Sequence, residues 1–153
     1  MGLSNKWHKR YLELANHVSL WSKDRSTKVG CVIVSNDNRI LSLGYNGFPR
    51  GINDDLEERH ERPLKYKFAE HAERNAIYNS DSSLKGSSCY VTMFPCADCS
   101  RAIIQTGIKE VVVEMPDWEH ERWGDDFKIT KDMLSEAGVK LTYVKLDNEE
   151  RKS

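Results

Sequence analysis

Two short runs constrain this chain more than any other feature: His71-Ala72-Glu73 and Pro95-Cys96-Ala97-Asp98-Cys99. Together they supply three good zinc ligands, His71, Cys96 and Cys99, and one carboxylate, Glu73, that a metal would not need. Structural zinc sites are usually closed by four protein ligands, whereas catalytic ones keep three and leave the fourth position to water. Three ligands therefore predict a catalytic Zn2+, whose presence lowers the pKa of a bound water to about 7, with Glu73 beside it as general acid and base. The competing reading is a closed structural site completed by Cys31, Cys89 or His60. Either way, the fold must bring both runs to one point.

The order H-x-E and then P-C-x-x-C is also the signature of zinc-dependent nucleobase deaminases. C-x-x-C alone marks redox and structural sites as well, so the specificity lies in the combination. With 153 residues, 39% hydrophobic and 31% charged, the chain can bury one ordinary core. We expect one domain over residues 1–146 and a polar tail over 147–153. No apolar run approaches the roughly 20 residues needed to cross a bilayer, and no targeting or myristoylation pattern is evident at the start. A reducing cytoplasm, where thiols ligate metal instead of pairing, is the expected setting. The formal net charge of −1 disfavours a protein built to grip nucleic acid and favours a small substrate.

Along the chain, Trp7, Tyr11, Leu14, Val18 and Trp21 form one helical stripe, which leaves His8 and His17 as surface residues. Val29 to Val34 reads as a strand buried on both faces, with Cys31 packed as a core residue. The Asn36-Asp37-Asn38 turn returns it as an antiparallel partner over residues 39–45. A long polar loop from Gly47 to Phe68 is expected to border the active site. A helix opening at His71 follows, then a strand over 89–93 that contains Cys89, a second core cysteine. The next helix has Pro95 in its first turn, with Cys96 and Cys99 on one face of its N-terminus. Strand 110–114, helix 127–137 and strand 139–146 complete the chain. Helical crossovers demand parallel pairing, so the expectation is a three-layer α/β/α fold: a five-stranded mixed sheet with helices on both faces. Residues two apart diverge by about 200° on a helix, so His71 and Glu73 must straddle a helix tip.

Beyond the zinc residues, SKDRSTKVG at 22–30, GYNGFPRG at 44–51, HAERNAI at 71–77 and FPCADCSRAIIQTGIKEVV at 94–112 closely resemble deoxycytidylate deaminases, with their cytidine-deaminase-like fold. That resemblance covers nearly the whole chain. It implies conversion of dCMP to dUMP with release of ammonia, feeding thymidylate synthesis. Glu73 would carry the proton to the ring nitrogen and then to the departing amino group. The backbone at Ala72 and Pro95 would read the base, and Asn46 would contact the sugar. The 5′-phosphate needs donors, for which Ser22, Lys23, Arg25 and Ser26 form one compact loop. Arg122 is a further candidate, although Trp118 and Trp123 beside it, read as exposed, also suit a subunit interface. Many relatives are hexamers activated by dCTP and inhibited by dTTP, with Mg2+, which implies an effector site near Gly44, Tyr45, Asn46 and Gly47. Some carry a second, structural zinc, but residues 48–68 hold His60 and no cysteine, so none is expected here.

Three other readings compete. One is deamination of another cytosine nucleotide, and a second is deamination of a base inside RNA, as in tRNA adenosine deaminases, which the charge disfavours. The third is a non-catalytic zinc-binding module, against which the presence of Glu73 argues.

Overall fold

A computed structural model of the chain describes residues 4–146, so the expected tail at 147–153 lies outside the described residues. Strands β1 (Gly30–Val34), β2 (Ile40–Tyr45), β3 (Ser88–Val91), β4 (Glu110–Val113) and β5 (Lys140–Tyr143) form one sheet in the order β2-β1-β3-β4-β5. β1 pairs antiparallel with both β2 and β3, while β3–β4 and β4–β5 are parallel. The mixed five-stranded sheet is as expected, and every residue of β1 is buried. Asn38, at φ 69°, takes the left-handed position in the hairpin turn.

Helix α1 (Asn5–Ser19) covers one face of the sheet, where Leu12 and Ala15 pack on Val32, Val34 and Val112. The other face carries α3 (Ala72–Asn79), α4 (Ala97–Gln105) and α5 (Gly124–Glu136), with Ala76, Ile103 and Leu134 against Cys31, Ile33 and Val111. Alternating side chains of β1 thus serve both layers, which explains why its sequence reads as continuously apolar.

The buried face of α1 is rotated from the expected stripe. His8, Tyr11, Leu12, Ala15 and Val18 are buried, whereas Trp21 lies beyond the helix and is 51% exposed. His8 is therefore not a surface residue: its Nδ1 lies 2.7 Å from the Tyr90 hydroxyl on β3, which satisfies the ring inside the core. His17 is exposed, as expected. Trp118 and Trp123 are not exposed either. Both are half-buried against the core, Trp118 edge-on to Phe94 and Tyr143. α5 begins at Gly124, three residues before the expected Phe127, and β5 is shorter than expected.

The segment from Gly47 to Phe68 is more ordered than a loop. It contains a 3-10 turn (Glu57–His60) and a one-turn helix, α2 (Lys65–Phe68). Phe48 stacks on His60 and meets Phe68 at a tilt of 38°. Buried Lys65 reaches 3.0 Å to Asp24, whose Oδ1 also accepts the N–H groups of Ser26 and Thr27. Lys23 pairs with Asp54 and Arg25 with Glu57, so residues 23–25 are fastened to this segment by three ion pairs.

α3 lies almost in contact with the edge strand β2. Ser42 Oγ donates to Ala76 O at 2.5 Å, Asn75 Nδ2 to Tyr45 O at 2.8 Å and Asn79 Nδ2 to Leu43 O at 2.9 Å. This approach requires Gly44, because a Cβ there would sit 2.3 Å from Ala76 N and 2.4 Å from Ala72 O. Gly44→Ala is expected to cost about 1–3 kcal/mol by overpacking, read as a lower denaturation midpoint. Wild-type stability in that variant would show that α3 yields easily.

Candidate active and metal site

His71 is the N-cap of α3 and Cys96 the N-cap of α4, so the two runs meet as two helix tips. Cys96 Sγ accepts the N–H of Cys99, three residues on, which turns both sulfurs toward the same point. Pro95 therefore precedes the N-cap instead of occupying the first helical turn as expected. His71 Nδ1 lies 3.3 Å from Cys96 Sγ and 3.5 Å from Cys99 Sγ, and the three donor atoms all fall within 4.8 Å of one another. Zn–S bonds of about 2.3 Å and Zn–N bonds of about 2.0–2.1 Å on a tetrahedron place N and S about 3.5 Å apart. The donors therefore fit a zinc ion.

Among the described residues this is the sole cluster of its kind. Cys31 and Cys89 lie in the core with sulfurs 3.4 Å apart, and His60 Nε2 is 2.6 Å from Asp54 O, so none of the three completes a closed four-ligand site.

The electrostatics suit metal binding. The contact with Cys99, helped by the bond to His71, holds the Cys96 thiol down to about 4, while Cys99, facing the Cys96 sulfur in a buried setting, is raised. Both sulfurs also sit at the positive end of α4. Glu73, at the second position of α3, is only 4% exposed, and burial pushes its carboxyl up to about 7. At neutral pH such a group can both accept and donate a proton. Ala72 and Pro95, expected to present backbone to a base, are buried beside these ligands in sequence.

The other expected site residues are placed differently. Asn46 uses its side chain as a clip, with Oδ1 accepting Val29 N–H at 2.9 Å and Nδ2 donating to Thr27 O at 2.8 Å. Ser22 is buried, and its hydroxyl donates to Asn46 O. Lys23, Arg25 and Ser26 are exposed, the first two engaged by Asp54 and Glu57. Arg122 is exposed and leans toward Trp123, 5.9 Å from its ring centre. Lys23, Asn46, Gly47 and Tyr45 share a shallow pocket of about 130 Å³ with Trp21 and Phe48. Gly44 is committed to packing against α3, Tyr45 is exposed and Gly47 half-buried.

A group not expected from sequence lies beside the ligands. Glu70 Oε1 accepts the His71 N–H at 3.0 Å and is itself gripped by Arg74, which also reaches Asp98. The i,i+4 spacing of Glu70 and Arg74 was the available signal.

Residues 5–115 match the family described as the cytidine and deoxycytidylate deaminase zinc-binding region, and the chain belongs to that family. It is accordingly a hydrolytic deaminase with a cytidine-deaminase-like fold. A protein of Aliivibrio fischeri, named as an uncharacterized deaminase in the luxG 3′ region, is 44% identical over 144 residues, covering 94% of this chain and 97% of that one. The deoxycytidylate deaminase of Homo sapiens is 38% identical over 140 residues, covering 88% of this chain and 77% of that one. Among solved structures, the dCMP deaminase of cyanophage S-TIM5 in complex with dCMP and dUMP matches at a TM-score of 0.76 and 31% identity, over 94% of this chain and 100% of that one.

Metal analysis of the purified protein is expected to find a single zinc per chain, lost in Cys99→Ala. A wild-type chain that is fully active after stringent metal removal would contradict this assignment.

Proposed function

We propose that the chain hydrolyses dCMP to dUMP and ammonia, with Zn2+ held by His71, Cys96 and Cys99 and with Glu73 as the proton carrier. The observation that carries this reading is the convergence of His71, Cys96 and Cys99, their donor atoms within 4.8 Å of one another, with Glu73 buried on the same helix tip as His71. The likeness to proteins named for dCMP supports the substrate. When bound, zinc supplies a Lewis acid that activates water at neutral pH.

The chain's own residues do the remainder. Glu73 takes one proton from the attacking water and gives it to the cytosine ring nitrogen. It then takes the second proton from the hydroxyl now on C4 and passes it to the departing amino group, so that the C–N bond breaks to leave the C4 carbonyl and ammonia. A carboxyl poised near neutrality suits both directions of transfer. Backbone groups at Ala72 and Pro95 orient the base. Asn46 fixes residues 27–29 and 46 as one unit, so its effect on the sugar site runs through that clip. Lys23 and Arg25 would exchange Asp54 and Glu57 for the substrate phosphate, and Arg122 could swing from Trp123 to the same group.

Residues 1–146 act on this reading as one deaminase domain. It includes a cytoplasmic, homo-oligomeric enzyme, a hexamer by family resemblance, with dCTP or dTTP and Mg2+ as effectors near Tyr45 and Gly47. Among the described residues no helix is long and apolar enough to cross a membrane.

The test is ammonia release from dCMP and from deoxycytidine. A hydrogen bond to a charged group is worth about 1.5–3 kcal/mol, so one phosphate contact predicts a kcat/KM about 10- to 150-fold lower for the nucleoside. Lys23→Ala, Arg25→Ala and Arg122→Ala should each narrow that gap if the residue contributes. Equal specificity constants for the two substrates in wild type would refute recognition of a monophosphate.

A further inference from the structure

Zinc ligands on two separate helices need their helices held in register, and the structure shows one side chain spanning both tips. Arg74 lies on the first turn of α3, one residue beyond Glu73. Its Nε and Nη2 both lie 2.6 Å from Glu70 Oε1, the oxygen that also accepts the His71 backbone N–H. Glu70 is itself fixed, because its N–H donates to Gly47 O at 2.8 Å and its carbonyl accepts the Gly47 N–H at 3.1 Å. The remaining guanidinium nitrogen, Nη1, points the other way and lies 3.7 Å from Asp98 Oδ2. Asp98 sits between Cys96 and Cys99 on α4 and is held from its far side by Arg101.

We propose that Arg74 is a positioning residue for the metal site, bracing the Glu70–His71 tip of α3 against Asp98 between the two cysteine ligands of α4. The inference rests on reading His71, Cys96 and Cys99 as zinc ligands. Two features favour it over an ordinary surface ion pair. The Arg74 and Glu70 side chains are only 22% and 24% exposed, so water screens that pair less than it screens a surface pair, whereas Asp98, at the other end, is 57% exposed and the weaker half. The geometry is also directional: a planar guanidinium can grip one carboxylate with two nitrogens and present a third elsewhere, which an ammonium cannot. Burial, the largest single effect, works against the charge of Arg74, but the bond to Glu70 and the nearby Cys99 and Cys96 sulfurs outweigh it and the guanidinium holds its proton more tightly than usual.

Groups that orient metal ligands typically change metal affinity by about 10- to 100-fold when removed. The experiment measures zinc transfer from the purified holoenzyme to a chromogenic chelator, with thermal unfolding of the same zinc-loaded samples in parallel. Arg74→Met is expected to release zinc about 10- to 100-fold faster while its unfolding midpoint falls by no more than the weaker zinc binding accounts for, and Arg74→Lys is expected to recover only part of the loss. Asp98→Asn should speed release less, and its effect should not add to that of Arg74→Met. If Arg74→Met does not fold, Glu70→Gln cuts the same brace from its other end and is read in the same way. Release from Arg74→Met or Glu70→Gln at the wild-type rate overturns the brace. A loss of stability larger than the weakened zinc binding accounts for would also overturn it, by showing a merely structural role. A wild-type chain that binds no zinc overturns the ligand assignment itself and the brace with it.

Discussion

Everything in this molecule that concerns chemistry depends on two helix N-termini meeting, because one nitrogen and two sulfurs can share a metal only if α3 and α4 present their tips to one another. The sheet makes that meeting possible. β1 and β3 are neighbours, α3 enters over β1 and β2, and α4 follows directly from the end of β3. Capping then sets the fine geometry. His71 and Cys96 both stand at N-cap positions with extended backbone, and Cys96 folds its sulfur back onto the Cys99 N–H. Glu73, two residues into α3, turns back into the protein and is buried. His71 and Glu73, the proposed ligand and proton carrier, thus end in different environments two residues apart, His71 beside the two sulfurs and Glu73 in a desolvated pocket that raises its pKa.

The close packing of α3 on β2 connects motifs that are far apart in sequence. Gly44 allows the approach, Asn75 and Asn79 of the HAERNAIYN run fasten to the carbonyls of Tyr45 and Leu43, and Gly47 pairs with Glu70. The GYNG run is thereby part of the scaffold that fixes His71, whatever ligand its exposed Tyr45 meets. Asn46 and Ser22 join the same scaffold, tying the start of β1 to the segment at 22–28.

What could be read from sequence followed the range of the interaction. β1 was legible because continuous burial leaves a continuous apolar run, and the cluster of His71, Cys96 and Cys99 was legible because metal chemistry admits few residue types at fixed spacing. His8 was misread because its partner, Tyr90, is 82 residues away, and helical periodicity carries no information about a distant hydroxyl. α1 is also rotated, burying Leu12 and Ala15 against the sheet while Trp7 packs at the margin of that cluster and Trp21 lies beyond the helix. The order within residues 47–68 was hidden because Lys65–Asp24 and its neighbouring ion pairs are all long-range. Half of the brace at Arg74 was visible in the i,i+4 spacing from Glu70, whereas Asp98 required the fold.

The account stands most directly on Glu73 as the proton carrier, and one substitution isolates that role. Glu73→Gln preserves shape and removes the exchangeable carboxyl proton, so the zinc-loaded variant should bind dCMP with near wild-type affinity and release ammonia from it about 10²-fold more slowly or worse. Zinc content, dCMP binding and ammonia release are measured on one preparation. Intact zinc and dCMP binding with turnover lost is the predicted result, and near-normal turnover in the zinc-loaded variant would contradict it.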